Sequence, residues 1–136
     1  MNPILRNILA VLAGYAAFTV LNIGLILLGL QIIPMPEGID PMDPESIKAG
    51  MKLFSLPNFI VPFIAHAGST LVGAFTAAKI GIDKKMILAY IIGGLALMGG
   101  ISAVYQIGGP IWFQVLDLVV AYIPMAYLGG TLATRK

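Results

Sequence analysis

The chain of 136 residues is 59% hydrophobic and 10% charged, with a formal net charge of +2 and no cysteine. Ordinary soluble domains are about 25% charged, so this chain cannot cover a water-facing surface and is predicted to lie in a lipid bilayer. The lack of cysteine excludes disulfides, thiolate metal sites and cysteine nucleophiles. The basic residues are dispersed at the ends of apolar runs, which does not indicate nucleic-acid binding.

The first apolar run carries no charge from Asn7 to Pro36 and predicts a membrane-spanning helix over about residues 5–33. It exceeds the roughly 20 residues that cross the hydrocarbon core of a bilayer. Arg6 before it also suits a secretory signal peptide, whose apolar region lasts only about 7 to 15 residues. Because this run is far longer, we interpret it as an uncleaved transmembrane helix.

The first loop, residues 34–56, is rich in proline and turn formers and begins "PMPEGIDPMDPES". Within it a short helix is predicted over about residues 44–55, because Asp43 can cap it and Pro44 suits its first position. Its apolar positions recur on one face and are Ile47, Met51 and Phe54. We therefore predict an amphipathic helix lying along the outer membrane interface, with a mobile loop as the alternative.

Three further apolar runs predict spans over about residues 57–80, 85–107 and 111–133. The links between them, "KIGIDKK" and "IGGPIW", are short, so neighbouring spans must be antiparallel. The predicted fold is an all-α polytopic membrane protein, a four-transmembrane-helix bundle made of two helical hairpins. Residues 1–136 would form a single transmembrane domain.

Lysine and arginine residues predict the topology, because short cytoplasmic loops carry an excess of them. Two of the eight, Lys48 and Lys52, lie in the first loop among four acidic residues. The other six lie on the opposite side and are Arg6, Lys79, Lys84, Lys85, Arg135 and Lys136. The N and C termini are therefore both predicted to be cytoplasmic.

Small residues recur every four positions along the second span, as Ala65, Ser69, Gly73 and Ala77. Membrane helices associate through close packing at such residues, because apolar side chains gain little by leaving lipid for one another. The second span is therefore predicted to be the central packing helix. The same face could instead contact a second copy of the chain or a partner membrane protein.

Polar residues inside the spans cluster in the outer half of the predicted bundle. His66 lies about nine residues, or roughly 14 Å, from the outer end of its span, and Asp117 about five residues, or roughly 8 Å. An ionised carboxylate at such depth costs about 2.5 to 3.5 kcal/mol, so Asp117 must face protein or water. We predict a polar intramembrane site in which His66 and Asp117 share a hydrogen bond, with Asn22, Ser69 or Gln106 as further partners.

Pro124 adds to this predicted site, because it removes a backbone hydrogen bond to the carbonyl of Val120, one turn below the acid. The alternative is that the polar residues only hold helices together. One histidine without cysteine does not make a metal or haem site, so no metal and no cofactor are expected. Ser69 and His66 are one turn apart on one helix, which is not hydrolase geometry, and we do not expect an enzyme.

Three segments carry a resemblance to a known group: "PMPEGID" at 34–40, "HAGSTLVGAFTAAKI" at 66–80 and "WFQVLDLVVAYIPMAYLGG" at 112–130. Together they resemble an uncharacterised family of small four-helix integral membrane proteins from Bacteroidetes-type bacteria. The resemblance covers most of the chain and implies a bacterial inner membrane. It implies no activity and no catalytic residue.

The expected function follows from the depth of the polar residues. We expect a multi-pass inner-membrane protein with a small polar pocket in its outer half that binds or passes a small solute or a proton. Transport by so small a bundle would call for a homo-oligomer. The alternative is a structural or accessory subunit that packs against a partner protein in the lipid bilayer and has no chemistry of its own.

Overall fold

The computed structural model describes residues 1–136 and contains only helices. In chain order they are α1 (Pro3–Ile32), α2 (Pro44–Gly50), a 3₁₀ turn (Met51–Leu53), α3 (Leu56–Ile80), α4 (Lys85–Ile107), α5 (Ile111–Val120) and α6 (Ile123–Thr134). Four helical stretches have the length and hydropathy that crossing a membrane requires, with α5 and α6 together forming the fourth. The predicted fold class is therefore confirmed.

The fourth span differs from the continuous helix that the sequence predicts. It is interrupted at Ala121 and Tyr122, where a turn separates α5 from α6. Pro124, in the first turn of α6, explains the interruption because proline has no N–H and its ring clashes with the carbonyl four residues earlier. Tyr122 absorbs the change of direction with φ −114° and ψ −77°.

The bundle has two ends. We call the end with residues 33–55 and 108–110 the loop end, and the end with the chain termini and residues 81–84 the terminal end. The helix α3 is central: it packs against α1, α4 and α6, and ten of its residues are buried. By contrast α1 buries only Ala10 and Gly14. The central place predicted for the second span is thus observed.

Close packing at small residues holds the terminal half together. A Cβ added to Gly14 of α1 would lie 2.7 Å from the carbonyl oxygen of Gly73 and 2.7 Å from Cβ of Ala77, both on α3. On the other side of the bundle, a Cβ on Gly93 of α4 would lie 2.6 Å from that of Ala126 on α6. Larger side chains would push these helices apart.

Two polar contacts tie α1 to α3 at the terminal end. Arg6 Nε donates a hydrogen bond to the carbonyl of Ile80 at 3.0 Å, at the C-terminus of α3 where carbonyls lack helical partners. Asn7 Oδ1 accepts a hydrogen bond from the backbone N–H of Ile82, also at 3.0 Å. Arg6 therefore has a structural partner beside its predicted role in topology, and Asn7 holds the link that follows α3.

The loop helix begins as predicted and ends slightly earlier. Asp43 caps α2 by accepting a hydrogen bond from the N–H of Glu45 at 3.1 Å, and Pro44 occupies the first turn. Helical structure ends at Leu53 instead of residue 55. Asn58 Nδ2 donates to the carbonyl of Pro34 at 3.2 Å and so joins the two ends of the loop.

The apolar stripe of this helix faces the bundle. Ile47, Met51 and Phe54 are half-buried and line a cavity between the helices; that the helix lies along the outer membrane interface stays a prediction. The helices α1, α3 and α4 leave apolar surface uncovered at the loop end, and covering it removes that surface from water. The loop thus folds back over the bundle.

Candidate functional site

A cavity of about 300 Å³ opens between the helices at the loop end. Its cover consists of residues 41–54, which we call the roof segment. Six roof residues line the cavity: Pro41, Met42, Pro44, Ile47, Met51 and Phe54. The volume falls at the lower end of the range of small-molecule sites, about 300 to 1,000 Å³.

The walls come from α1, α3, α4 and α5 and are mostly apolar, with 14 hydrophobic residues among the 23 that line the cavity. Four lining side chains are strongly polar: Asn58, His66, Gln114 and Asp117. Such a surface, apolar with a few placed polar groups, is typical of ligand sites. His66 and Asp117 lie deepest, furthest along their helices from the loop end.

His66 on α3 and Asp117 on α5 are in direct contact. His66 Nδ1 lies 2.9 Å from Oδ1 and 3.0 Å from Oδ2 of Asp117. The Asp117 residue is only 5% exposed, so its carboxyl oxygens are satisfied by protein groups instead of bulk water. The structure therefore contains the hydrogen bond that the sequence predicts between these two residues.

Tyr122 is a third member of this cluster, and sequence reasoning missed it. Its Oη–H donates to Asp117 Oδ2 at 2.9 Å, and its ring stacks on His66 with centroids 5.8 Å apart. In an uninterrupted helix, residues five apart point about 140° away from each other, which argues against such a contact. The interruption before Pro124 turns Tyr122 back, so Pro124 was the available signal.

Gly100 of α4 makes room for this tyrosine. A Cβ at Gly100 would lie 2.5 Å from Tyr122 Oη and 2.6 Å from Cε2 of the same ring. The phenol is therefore held between α4 and Asp117 and is 1% exposed. Three helices thus position the cluster of His66, Asp117 and Tyr122, which we call the polar cluster.

The hydrogen bonds of the polar cluster assign a role to each atom. Asp117 can accept from both the Tyr122 Oη–H and the His66 Nδ1–H as a carboxylate, which has acceptor sites and no proton. Nε2 of His66 makes no hydrogen bond with the protein, although the residue lines the cavity. Neutral imidazole offers an acceptor at Nε2, and imidazolium offers a donor.

The other residues predicted for the site are not joined to the polar cluster by hydrogen bonds. Ser69 is fully buried, and its Oγ donates to backbone carbonyls of α3, those of Ala65 and His66. Gln106 is exposed and donates to Ser102 Oγ at 2.9 Å. Neither lines the cavity, so the structure does not support them as partners of the acid.

Asn22 also lies outside the cavity lining. Its Oδ1 is buried and has no hydrogen-bond partner. The predicted hydrogen bond from Asn22 to Asp117 is absent.

The residues predicted for helix packing are all buried: Ala65, Ser69, Gly73 and Ala77. Gly73 shows why small size matters there. A Cβ on it would lie 2.8 Å from both the carbonyl oxygen of Gly14 and Cβ of Phe18. This face of α3 therefore packs within the chain against α1, which was the first of the readings left open by the sequence.

Neither a metal cluster nor a known relative adds to this picture. The structure has no group of three or more His, Cys, Asp or Glu side chains placed to hold a metal ion. Comparisons with protein families, curated proteins and solved structures gave no match. The resemblance to the Bacteroidetes-type family stays a prediction, and function must be argued from the cavity itself.

Proposed function

We propose that this protein is a multi-pass bacterial inner-membrane protein whose cavity binds a small, largely apolar molecule through one polar group. The single observation that supports this most is the unused Nε2 of His66 in a cavity that is otherwise apolar. The bound group would hydrogen-bond to Nε2, while Asp117 and Tyr122 fix the ring. Because the His66 ring is already held in place before a ligand arrives, it loses little conformational freedom on binding, and this favours affinity.

The proposed orientation puts the loop end outside the cytoplasm. Six of the eight lysine and arginine residues lie at the terminal end, and positive charge favours the cytoplasmic side. The cavity would then face the outer half of the membrane. The inner-membrane location rests on the family resemblance and is part of the proposal.

A purely structural role accounts less well for the cavity. The buried hydroxyls of Ser69 and Thr70 are sealed from the cavity and donate to carbonyls of their own helix. The His66 side chain is instead 20% exposed, whereas that of Asp117 is 7% exposed. The polar cluster thus has one closed side and one side available to a ligand.

Binding is better supported than passage across the membrane. Beyond Ser69 and Thr70 toward the terminal end, the core is a cluster of nine buried apolar residues, mostly alanine. A proton or hydrated solute needs a chain of polar groups or water along its path. We therefore propose a binding protein, with no transport step and no enzymatic step.

The lining of the cavity indicates a ligand with a flexible or variable apolar part. Met35, Met42 and Met51 all line it near the roof, and methionine side chains adapt to irregular shapes. The polar end of the ligand would lie at His66, roughly 10 to 12 Å from Asn58 at the rim, by the rise of α3. An amphiphile fits this cavity, because its single hydrogen-bonding head group can bind His66 while its apolar chain contacts the methionines near the roof.

A second candidate function is that of an accessory subunit that packs against a partner. It is favoured by two glycines on α4, half-buried Gly94 and exposed Gly99, since a Cβ added to either would meet nothing within 4 Å. Small exposed residues allow close approach of another membrane helix. Substituting Gly94 by leucine would then reduce co-purification of that partner without changing the stability of the isolated chain.

Thermal unfolding in detergent tests the binding proposal. We would add 1-octanol, octylamine or octanoate, which share an apolar chain and differ in the head group. At least one should raise the melting temperature by about 2 to 8 °C. The increase should disappear in His66→Ala and persist in Ser102→Ala, a control with an exposed polar residue on α4. Equal shifts in wild type and His66→Ala for all three compounds would refute the proposal.

A further inference from the structure

A shallow groove lies on the outside of the bundle between α3 and α5, near the loop end, with a volume of about 130 Å³. All seven residues that line it are hydrophobic. Ile60 and Leu116 are 44% and 42% exposed, and both belong to membrane-spanning segments. We call this surface the side groove. Its exposed residues would contact acyl chains in a bilayer.

Two phenylalanines separate the side groove from the cavity. Phe59 on α3 and Phe113 on α5 line both spaces, with ring centroids 5.0 Å apart. The barrier between lipid and the cavity is thus one aromatic ring thick. Phe59 also contacts Phe54 and Trp112, and all of these contacts are between side chains, so the wall contains no backbone hydrogen bond that opening would have to break.

The backbone on each side of this aromatic wall departs from a regular hydrogen-bonded helix. Pro62 lies inside α3 and cannot donate the helical hydrogen bond to Asn58, next to Phe59. On the other side, Gly108 and Gly109 precede α5 with φ of +75° and +112°. These two glycines adopt backbone conformations that other residues rarely adopt, and they link α4 to the first turn of α5, which carries Phe113.

The route from water is covered by the roof segment and by one long-range hydrogen bond, from Asn58 Nδ2 to the carbonyl of Pro34. Two further hydrogen bonds near the rim are local, from the Ser55 N–H to Asn58 Oδ1 and from Gln114 Nε2 to the carbonyl of Gly109. No hydrogen bond spans the wall between Phe59 and Phe113, which consists of aromatic rings.

We propose that the ligand of the cavity is a membrane-dissolved amphiphile, and that it enters sideways from the outer leaflet through the side groove, between Phe59 and Phe113. This inference rests on the proposed binding function and names the source of the ligand. The amphiphile would enter head first through the side groove, and once the head group reaches His66 its apolar chain would lie in the cavity near the roof. Seven residues of α3 separate Phe59 from His66, a distance of about 10 Å.

Cysteine chemistry can test this route, because the natural chain has no cysteine. Ala103 lines the cavity, and Ala103→Cys would report access to it in liposomes. We would compare the rates of modification by N-dodecylmaleimide, which partitions into the bilayer, and by a sulfonated maleimide, which stays in water. Ala49→Cys, on the exposed side of the loop helix, is the reference. The ratio of the two rates for Ala103→Cys is divided by the same ratio for Ala49→Cys.

The expected result is a normalised ratio that strongly favours the lipophilic reagent. Leu116 lines the side groove and not the cavity, so Leu116→Trp should fill the groove and slow that reaction about tenfold, as an added barrier of about 1.4 kcal/mol would. Val119→Trp is the matched control, since Val119 is on the same helix, is 62% exposed and lies outside the groove. It should leave the rate unchanged.

Two results would overturn the proposal in different ways. If the sulfonated reagent modifies Ala103→Cys as readily, and Leu116→Trp has no effect, the ligand comes from water and only the lateral route fails. If neither reagent modifies this thiol in the folded protein, although both modify it after unfolding, the cavity is closed. The proposed binding function would then fail as well.

Discussion

The two halves of the bundle are built from the same four spans but pack in different ways. In the terminal half, Gly14 of α1 touches the backbone of α3 at Gly73. In the loop half, Gly29 of α1 meets a side chain, since its added Cβ would lie 2.5 Å from Cγ1 of Val61. A side chain thus separates α1 from α3 at one end and not at the other.

This difference explains where a site can form. Alanine and glycine at four-residue spacing let helices approach until no space remains, and the terminal half has a core of nine small or aliphatic residues. Toward the loop end the spacers are larger and α3 carries Pro62. The helices diverge there, and the roof segment covers the opening. Close packing and a binding cavity therefore occupy separate halves.

The largest expected effect comes from disturbing the closely packed half. Gly73→Leu should lower the free energy of unfolding by about 3 kcal/mol or more, because its side chain would collide with the Gly14 carbonyl and Phe18. Titration with a denaturing detergent measures this. Gly24→Leu is the control, since nothing lies within 4 Å of a Cβ there. Equal losses for the two variants would contradict the packing described for α1 and α3.

A smaller loss is expected in the polar cluster. Asp117→Asn keeps the volume of the side chain but removes the charge that accepts hydrogen bonds from His66 and Tyr122. Hydrogen bonds to charged groups contribute about 1.5 to 3 kcal/mol, so we expect a loss of about 2 kcal/mol in the same titration. An unchanged stability would mean that the carboxylate is not ionised in the folded protein.

Adjacent glycines on α4 allow a sharper comparison. Gly100→Ala should push the Tyr122 hydroxyl away from Asp117 and cost about 1 kcal/mol, after allowing for the helix propensity gained. Gly99→Ala meets no neighbour and should be neutral or stabilise by up to about 1 kcal/mol. The difference between the two melting temperatures is the measurement. If Gly100→Ala were the more stable variant, the tight position of Tyr122 would be wrong.

The smallest effect is expected in the roof segment. Asp43→Ala removes the cap of the loop helix and should cost about 1 kcal/mol locally, without lowering the global stability. Hydrogen exchange of the backbone amides of residues 45–50 should become faster. Glu37→Ala, in the same loop but without a side-chain hydrogen bond, should leave that exchange unchanged; faster exchange in both variants would show a general effect of loop charge.

Much of the fold could be predicted because it depends on one dimension, the depth along each span. The runs of apolar residues locate the spans, and Asp43 and Pro44 locate the start of the loop helix. Depth also placed His66 and Asp117 in the same half of the bundle, where they are found in contact. These features follow from rise per residue and local capping.

The remaining features depend on rotation about helix axes, which depth does not determine. Gln106 is at the outer end of its helix but points away from the acid, toward Ser102. Tyr122 reaches Asp117 only because the helix is interrupted before Pro124. The placement of the roof over the cavity also depends on how far the helices diverge. Periodicity within a single segment contains none of this information.

The most direct test of the central claim uses the only histidine in the chain. With ¹⁵N-labelled histidine, the two ring nitrogens of His66 give their own NMR signals. We would record them at constant pH with and without the amphiphile that most stabilises the protein. Binding through the cavity predicts that the Nε2 signal moves while the Nδ1 signal, held by Asp117, stays nearly fixed. An unchanged Nε2 signal at saturating amphiphile would contradict a ligand site at His66.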